Sequence, residues 1–295
     1  KYCKHLNPLV ANDEVDPVIG FDRELSEIYD ILGRRTKPNI LITSESGVGK
    51  TSLIHAFVQA VVKDEVPTYI QNAQVYEVDL ASLTMEVSYK SEVESRMKKL
   101  LEEVSSLDNV IWVIEGLDKV LDKQGILYGV AGLLKNKLNE GLLTICTSSI
   151  EGYTKNIETD KELIGKFEHI QLEEPSVEYA KHILDFVIAQ FERLKVDKEV
   201  TENAIRLAKR YFNEKHLPDA AIDMIDRTMA LIKATNDIAV KVLQRITEKI
   251  SALESSEKSE DVIKNELKWI HLEIVNRISP IVIGQVEVKD LNAIL

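Results

Sequence analysis

The sequence predicts an α/β fold in which a doubly wound parallel sheet is followed by an all-helical region. Three unbroken apolar runs of about five residues are typical of buried strands, at Asn39–Thr43, Val110–Ile114 and Leu142–Cys146. Helical patterns alternate with them, for example at Ser91–Leu107. After Pro175 the strand pattern stops and only helical periodicity continues.

The remaining elements follow from the same periodicities. Two further candidate strands of the sheet are Gln74–Leu80 and His169–Leu172. In the second half, apolar residues at helical spacing predict four helices, Ser176–Leu194, Thr201–Tyr211, Pro218–Ala234 and Ile238–Leu253. Ser176 is suited to cap the first of these. The polar stretch Leu253–Asp261 predicts a linker, and Glu266–Ile278 returns to an amphipathic helical pattern.

Composition excludes several classes of protein. The 295 residues carry a formal net charge of −12, which disfavours binding to nucleic acid or to anionic membranes. No apolar run approaches the ~20 residues that span a bilayer, and the first residues lack a signal-peptide pattern. Cys3 and Cys146 form neither a disulfide framework nor a metal-ligand spacing. We therefore expect a cytoplasmic protein, or one of an organelle matrix or stroma.

An internal repeat bears on how the chain is organised. The segment Asp16–Gly20 recurs in similar form at Ser279–Gln285, close to the end of the chain. This repeat predicts one complete module and the start of a second, so that the chain is a fragment of a longer protein.

A phosphate-binding loop follows the first predicted strand. Residues 44–52 read Ser-Glu-Ser-Gly-Val-Gly-Lys-Thr-Ser and precede a helical pattern. In such a loop the backbone N–H groups surround phosphate, Lys50 reaches the β- and γ-phosphates, and Thr51 ligates Mg²⁺. Ser44 replaces the first glycine of the motif, which predicts a strain of about 1 kcal/mol if its φ is positive.

With this motif the sequence resembles the first ATPase module of the Clp/Hsp100 unfoldases, members of the AAA+ superfamily. Nearly the whole chain takes part, and the most specific stretches are Asp16–Gly20, Ile31–Lys37, Glu45–Thr51, Glu173–Val177 and His216–Asp226. Because the coiled-coil insertion of the disaggregases is absent, the resemblance favours the protease-partnered, ClpA-like branch. It implies an AAA+ domain over residues 1–172, a helical lid over 173–253, and a linker helix with the start of a second module over 254–295.

The resemblance also implies ligands and partners. ATP and Mg²⁺ are the expected cofactors, with Thr51 and Glu115 at the metal. Tyr89 corresponds to a pore-loop tyrosine that grips polypeptide. Expected partners are subunits of the same family in a hexameric ring, polypeptide substrates, and a ClpP-like protease that contacts the second module. The implied nucleotide-binding residues are Val18, Ile19, Glu45, Ser46, Gly47, Val48, Gly49, Lys50, Thr51, Ser52 and Ile183.

The catalytic residues depart from the family pattern. Where the family has Asp-Glu after the second predicted strand, this chain has Glu115-Gly116, so the general base is missing. A one-residue shift of the alignment, with Glu115 as the base, stays open. Where the family has paired arginines, this chain has Gly165-Lys166. One cation is lost, and the remaining lysine lacks the planar group with which arginine binds phosphate through two hydrogen bonds. The polar residue after the third strand is Ser148 or Ser149 instead of Thr, and Ala220 replaces the lid lysine.

Three functions follow from these features. The first is an ATP-binding, ring-assembly module with impaired or absent hydrolysis. The second is a working motor in which Glu115 is a displaced base and Lys166 a weak finger. The third is a non-enzymatic scaffold or adaptor that has lost tight nucleotide binding, against which the intact Lys50-Thr51 pair argues.

Overall fold

The computed structural model describes residues 2–15, 18–87, 89–190, 195–196, 198–212, 215–230, 248 and 285–286. The chain divides into two compact units, Lys1–Pro175 with Glu214–His216, and Ser176–Asn213 with Leu217–Leu295. Several predicted segments lie outside the described residues, apart from residues 248 and 285. They are the helix Ile238–Leu253, the linker Leu253–Asp261, the helix Glu266–Ile278, and the repeat at Asp16–Pro17 and Ser279–Gln285.

The first unit is built on one six-stranded sheet with the strand order β1-β3-β4-β5-β2-β6. Only the edge strand β1 is antiparallel to its neighbour, and the other pairings are parallel. The strands are β1 Cys3–His5, β2 Asn39–Ser44, β3 Gln74–Val78, β4 Val110–Ile114, β5 Leu143–Ser149 and β6 Phe167–Gln171. This is the doubly wound parallel sheet that the sequence predicts.

Helices cover both faces of this sheet. They are α1 Leu6–Ala11, α2 Asp22–Leu32, α3 Lys50–Val62, α4 Leu80–Thr84, α5 Lys90–Val104, α6 Leu117–Val120, α7 Val130–Asn139, α8 Ile150–Gly152 and α9 Lys161–Ile164, with a π-helical turn at Tyr153–Ile157. Helices α1, α2 and α3 pack on one face, while α5, α6 and α7 pack on the other.

Alternate residues of the central strands enter the two cores. On β2, Ile40 and Ile42 join the core under α3, whereas Leu41 joins the core under α5. On β4, Val113 faces the first core and Trp112 the second, and both are fully buried. Burial on both faces explains why these strands appear in the sequence as unbroken apolar runs.

Several predicted bounds need correction. Strand β4 has the predicted limits, but β5 runs to Ser149, because polar residues beyond Cys146 still pair with β2. Strand β3 ends at Val78, since Asp79 caps α4. Strand β6 starts at Phe167, two residues before the predicted His169–Leu172, since Phe167 pairs with Asn39 at the start of β2.

The second unit is helical over most of its described residues. It contains α10 Val177–Ala189, α11 Lys198–Tyr211 and α12 over residues 219–230, packed around a separate apolar core. The Ser176 side chain accepts a hydrogen bond from the Tyr179 N–H (3.2 Å), as a helix cap does.

The predicted absence of strands in this region is wrong at one place. Strand β7, Lys195–Val196, pairs in parallel with β8, Gln285–Val286. Strands of two residues are too short to leave a periodic signal. Helix α10 also ends at Ala189 and not at the predicted Leu194, and α11 begins three residues before Thr201. Within the described residues, no helix has both the length and the apolar character needed to cross a membrane.

Candidate functional site

The loop between β2 and α3 turns through two glycines in the left-handed region. Gly47 has a φ of 86° and Gly49 a φ of 117°, backbone angles that side chains rarely adopt. A Cβ atom on Gly49 would also lie 3.1 Å from Cζ of Phe21. This turn leads into the amino end of α3, whose first backbone N–H groups have no helical partner. The turn and the start of α3 contain all the loop residues that the sequence predicts, which are Glu45, Ser46, Gly47, Val48, Gly49, Lys50, Thr51 and Ser52.

Ser44 does not carry the strain expected of a serine at a glycine position. It is the last residue of β2, pairs with Ser149 of β5, and is fully buried. Its hydroxyl donates to the carbonyl of Glu45 at 2.8 Å. The left-handed turn begins only at Gly47, so the backbone at Ser44 is extended and accommodates a side chain.

Lys50 lies folded back onto the loop. Its Nζ donates to the Ser44 carbonyl at 3.0 Å, to the Ser44 hydroxyl at 2.9 Å and to the Glu45 carbonyl at 3.1 Å. Burial lowers the pKa of Lys50, while the carboxylates of Glu45, Asp118 and Glu115 oppose that change. The ammonium group is therefore held at the start of the loop, where a bound phosphate oxygen would compete with these acceptors.

Thr51 and Glu115 meet across the end of the sheet. The Thr51 hydroxyl donates to Glu115 Oε1 at 2.8 Å, and Glu115 directly follows β4. Oxygen donors of this kind suit Mg²⁺, which keeps several waters and takes phosphate oxygens as further ligands. Among the described residues, no group of three or more His, Cys, Asp or Glu could hold a metal alone. The pair thus fits an ion that arrives with nucleotide.

Gly116 forms a left-handed turn directly after Glu115. Its φ is 82°, and its backbone N–H donates to the Thr147 carbonyl at 3.1 Å and to the Thr147 hydroxyl at 3.2 Å. The main chain is thus fixed to β5 at this point. Glu115 directly precedes this turn, and the choice between the ungapped alignment and its one-residue shift stays a prediction.

The two serines that end β5 lie beside the phosphate loop. Ser148 pairs with Thr43 and Ser149 pairs with Ser44. The Ser148 hydroxyl donates to the Ser149 carbonyl at 3.0 Å, while the Ser149 hydroxyl accepts from the Gly152 N–H at 3.0 Å and so caps α8. Both predicted residues are thus brought to the site, and Ser149 has a capping role that the sequence did not indicate.

Two family models match consecutive parts of the chain. Residues 40–172 match the family model "ATPase family associated with various cellular activities (AAA)", and residues 176–272 match the model "AAA lid domain". The chain joins an AAA domain to an AAA lid domain. The first model spans the sheet from β2 to β6, and the second begins where the second compact unit begins.

Similar proteins belong to the Clp and Hsp100 families. The chain is 35% identical over 274 residues to the chaperone protein ClpB of Aquifex aeolicus, covering 91% of this chain and 27% of that protein. It is 32% identical over 270 residues to the Clp protease ATP-binding subunit ClpC of Staphylococcus epidermidis, covering 90% and 32%. The chain therefore spans about a third or less of the length of these relatives.

Solved structures of Hsp104 share the fold. A complex of Saccharomyces cerevisiae Hsp104 with ADP superposes with a TM-score of 0.73 at 30% identity, covering 80% of this chain and 41% of that chain. A closed state of Hsp104 with ATPγS and casein gives a TM-score of 0.72 at 29% identity, with the same coverage. These findings support the resemblance to Clp/Hsp100 proteins; the ClpA-like branch stays a prediction.

Lys166 lies at the opposite end of the AAA sheet from the phosphate loop. It precedes β6, whose first residue Phe167 pairs with Asn39 at the start of β2, and Asn39 Nδ2 donates to the Lys166 carbonyl at 3.3 Å. The six residues of β2 extend roughly 16 Å, at about 3.3 Å per residue. The structure therefore does not bring Lys166 to Lys50 of the same chain.

Tyr89 lies at the amino end of α5, the helix that connects β3 to β4, and β3 is three positions from β2 in the sheet. Its side chain is 68% exposed, and that of Met85 is 67% exposed. Sequence reasoning missed Arg96, whose Nη1 donates to the carbonyls of Leu83 (3.1 Å) and Met85 (2.8 Å) while its guanidinium lies over the ring of Tyr2. Arg96 thus holds the segment that leads to the exposed tyrosine.

The loop before α2 reaches the phosphate loop through a residue that the sequence did not indicate. Val18 and Ile19 are half-buried two or three residues before Phe21, whose ring covers Gly49. Phe21 itself has a φ of 71°, outside the usual range for an aromatic residue. A lone phenylalanine after Gly20 leaves no motif that could have revealed this contact.

His216 is a second missed contact, and it belongs to the first compact unit. Its backbone N–H donates to the Ser46 carbonyl at 3.1 Å, and its Nδ1 lies 3.2 Å from Glu174 Oε2. The resemblance included this stretch without giving His216 a role.

In the lid unit, Ile183 lies half-buried on α10 and Ala220 is buried on α12.

Proposed function

We propose that this chain is the ATP-binding, ring-assembly AAA module of a Clp-like protein unfoldase, with weak or absent ATP hydrolysis. The observation that carries the proposal is the contrast between an intact phosphate loop and the glycine at position 116. The groups that hold nucleotide are present, while two groups that accelerate its cleavage are replaced.

Binding is supported by the loop geometry. The left-handed glycines and the amino end of α3 offer backbone N–H groups to phosphate, and the Lys50 ammonium is hydrogen-bonded to Ser44 and Glu45 at the start of the loop. Thr51 and Glu115 would hold Mg²⁺, which when bound neutralises charge on the β- and γ-phosphates. The aromatic ring of Phe21 closes one side of the loop. None of these contacts depends on Gly116.

Impaired hydrolysis is supported by two losses. A general base contributes typically 10²–10⁴-fold, and Gly116 has no side chain to act as one. An arginine finger contributes about 10³–10⁵-fold, and here Gly165-Lys166 leaves a lysine without the planar fork of arginine. Because such groups act as a unit, the loss of either alone brings ATP hydrolysis close to the intrinsic rate of a site that lacks both groups.

Assembly and partners follow from the Clp relatives and from the position of Lys166. Since Lys166 lies at the far end of its own sheet, a phosphate near it would belong to a neighbouring chain. We therefore propose a hexameric ring of subunits of this family, with polypeptide gripped by the exposed Tyr89. The Hsp104 structure with casein supports polypeptide as the substrate class. Contact with a ClpP-like protease through a second module would complete the unfoldase.

The proposal is tested by measuring ATP affinity and ATP turnover of the purified chain separately. We expect binding in the presence of Mg²⁺ and a turnover well below the ~1 s⁻¹ at the lower end of ordinary enzymes. Lys50→Ala should weaken binding at least about tenfold, whereas Lys63→Ala, at the exposed far end of the same helix, should not. Turnover above that rate would overturn the hydrolysis part, and absence of binding would favour the scaffold.

A further inference from the structure

A second carboxylate, that of Asp118, lies beside the phosphate loop. Asp118 is in the first turn of α6, directly after the Gly116 turn, and its side chain is partly exposed. Asn156 Nδ2 donates to its backbone carbonyl at 3.0 Å. Within the part of the chain that the structure describes, no donor is bonded to the Asp118 carboxylate.

The Asp118 carboxylate occupies space left by the absence of a side chain at Gly152. A Cβ atom on Gly152 would lie 2.5 Å from Asp118 Oδ2 and 2.6 Å from its Cγ, closer than real Cβ contacts. Gly152 is itself buried, and its N–H donates to the Ser149 hydroxyl. Asp118 can therefore adopt this position only because residue 152 is glycine.

A series of contacts leads from Asp118 through Gly152 to the phosphate loop. Ser149, which bonds to Gly152, pairs with Ser44, and Ser44 accepts from Lys50 Nζ. Asp118 is also among the charges that oppose the lowering of the Lys50 pKa, together with Glu45 and Glu115. The carboxylate thus lies within electrostatic reach of the lysine that meets the terminal phosphates.

The Glu115 carboxylate, in contrast, already has a hydrogen-bond donor. Glu115 Oε1 accepts the hydrogen bond of the Thr51 hydroxyl at 2.8 Å and is committed to the expected Mg²⁺ position. The main-chain N–H of Gly116 is bonded to Thr147 and offers no basic group. Of the two carboxylates that follow β4, only that of Asp118 has no hydrogen-bond donor among the described residues.

We propose that Asp118 is a catalytic residue that accepts the proton of the attacking water and so carries the residual hydrolysis of ATP. This inference rests on the proposed function, since it concerns the same ATP site. The water oxygen forms a bond to the γ-phosphorus, and the bond from that phosphorus to the β–γ bridging oxygen breaks. The proton passes to the Asp118 carboxylate and then to solvent, and ADP and inorganic phosphate leave.

The test compares ATP turnover and ATP affinity of the full chain with those of three variants. Asp118→Asn should lower kcat about tenfold or more with an unchanged Kd for ATP, because only the proton acceptor is removed. Asp118→Glu should retain part of the turnover, because it keeps the carboxylate. Asp108→Asn makes the same exchange on the exposed loop before β4, at the other end of the strand, and should match the wild type.

The outcomes separate this inference from the proposed function. Full turnover in Asp118→Asn, or an equal loss in Asp108→Asn, overturns the role of Asp118. A wild-type chain that binds ATP and releases no phosphate overturns it as well, while the proposed binding stands. A chain that binds no ATP overturns both. Thermal unfolding of each variant without nucleotide identifies any loss of turnover that comes from misfolding.

Discussion

At the residue scale, Gly116 fixes the backbone at the position where we propose that a catalytic group is lost. Its φ of 82° and ψ of 53° lie in the left-handed region, and its N–H is bonded to Thr147 at the end of β5. A side chain in this conformation costs about 1 kcal/mol or more. A Cβ atom would in addition approach Cδ of Lys119 to 3.2 Å. A carboxylate can therefore be returned to this position only with strain.

This strain gives a prediction about stability. Gly116→Ala should lower the free energy of unfolding by about 1 kcal/mol, because alanine does not favour a positive φ. Gly132→Ala, within α7 and with no atom within 4 Å of the added Cβ, should raise it by up to about 1 kcal/mol. Denaturant titration measures both, and equal effects of the same sign would contradict the assigned backbone conformations.

The site was predictable from sequence where its residues are contiguous. Lys50 and Thr51 were found because the phosphate loop is a local motif between a strand and a helix. Phe21 lies against Gly49 and Thr147 is bonded to Gly116 through tertiary packing, and no spacing in the sequence marks either residue. The motif alone predicts strain at Ser44, because a motif specifies residue types and not the φ angles that the backbone adopts.

At the scale of elements, the burial and the length of a strand determine whether its sequence pattern reveals it. Strands β2 and β4 are buried on both faces and appear as apolar runs. The end of β5 is polar, since Ser148 and Ser149 line the phosphate site, and the apolar pattern stops too early there. The edge strand β1 has three residues, which is too short for any periodicity to appear.

The segment between α4 and α5 depends on Arg96. Because its guanidinium bonds to the carbonyls of Leu83 and Met85, Arg96→Gln should loosen this segment without unfolding the domain. We expect faster hydrogen exchange at residues 84–87. Lys98→Gln, an exposed position on the same helix, is the matched control and should leave exchange unchanged. Equal exchange in both variants would show that Arg96 does not hold the segment.

Asp79 caps helix α4, and its carboxylate accepts a hydrogen bond from the backbone N–H of Ser82 at 2.9 Å and another from the Ser82 hydroxyl at 2.6 Å. These hydrogen bonds lower the pKa of Asp79. Because the folded pKa lies below the unfolded value of about 3.9, the cap stabilises the protein at higher pH and its effect is lost as the pH falls through the folded pKa.

The contribution of this helix cap to the free energy of unfolding should depend on pH. Asp79→Ala should lower the free energy of unfolding by about 1 kcal/mol near pH 7, the usual value of a helix cap. The difference from wild type should shrink below about pH 4 and disappear in stronger acid. Asp108→Ala, on an exposed loop, should show no such difference at pH 7. Denaturant unfolding at several pH values measures the effect, and a constant difference would exclude the capping role.

At the scale of the whole molecule, the two compact units have separate apolar cores. Separate cores favour unfolding in more than one step. The phosphate loop, Thr51, Glu115 and Asp118 all belong to the first unit. A ligand that binds only the folded form stabilises the unit that holds it, in proportion to the logarithm of its concentration over Kd.

Saturating ATP with Mg²⁺ should therefore raise the unfolding transition of the first unit. At a concentration 100 times Kd the gain is about 2.7 kcal/mol, which for a unit of this size corresponds to roughly 5–10 °C in Tm. Lys50→Ala should remove the shift at the same concentration, whereas Lys63→Ala should keep it, since Lys63 lies at the opposite end of α3. Calorimetry with and without nucleotide measures the transition. A shift that survives Lys50→Ala would mean that ATP binds elsewhere in the chain.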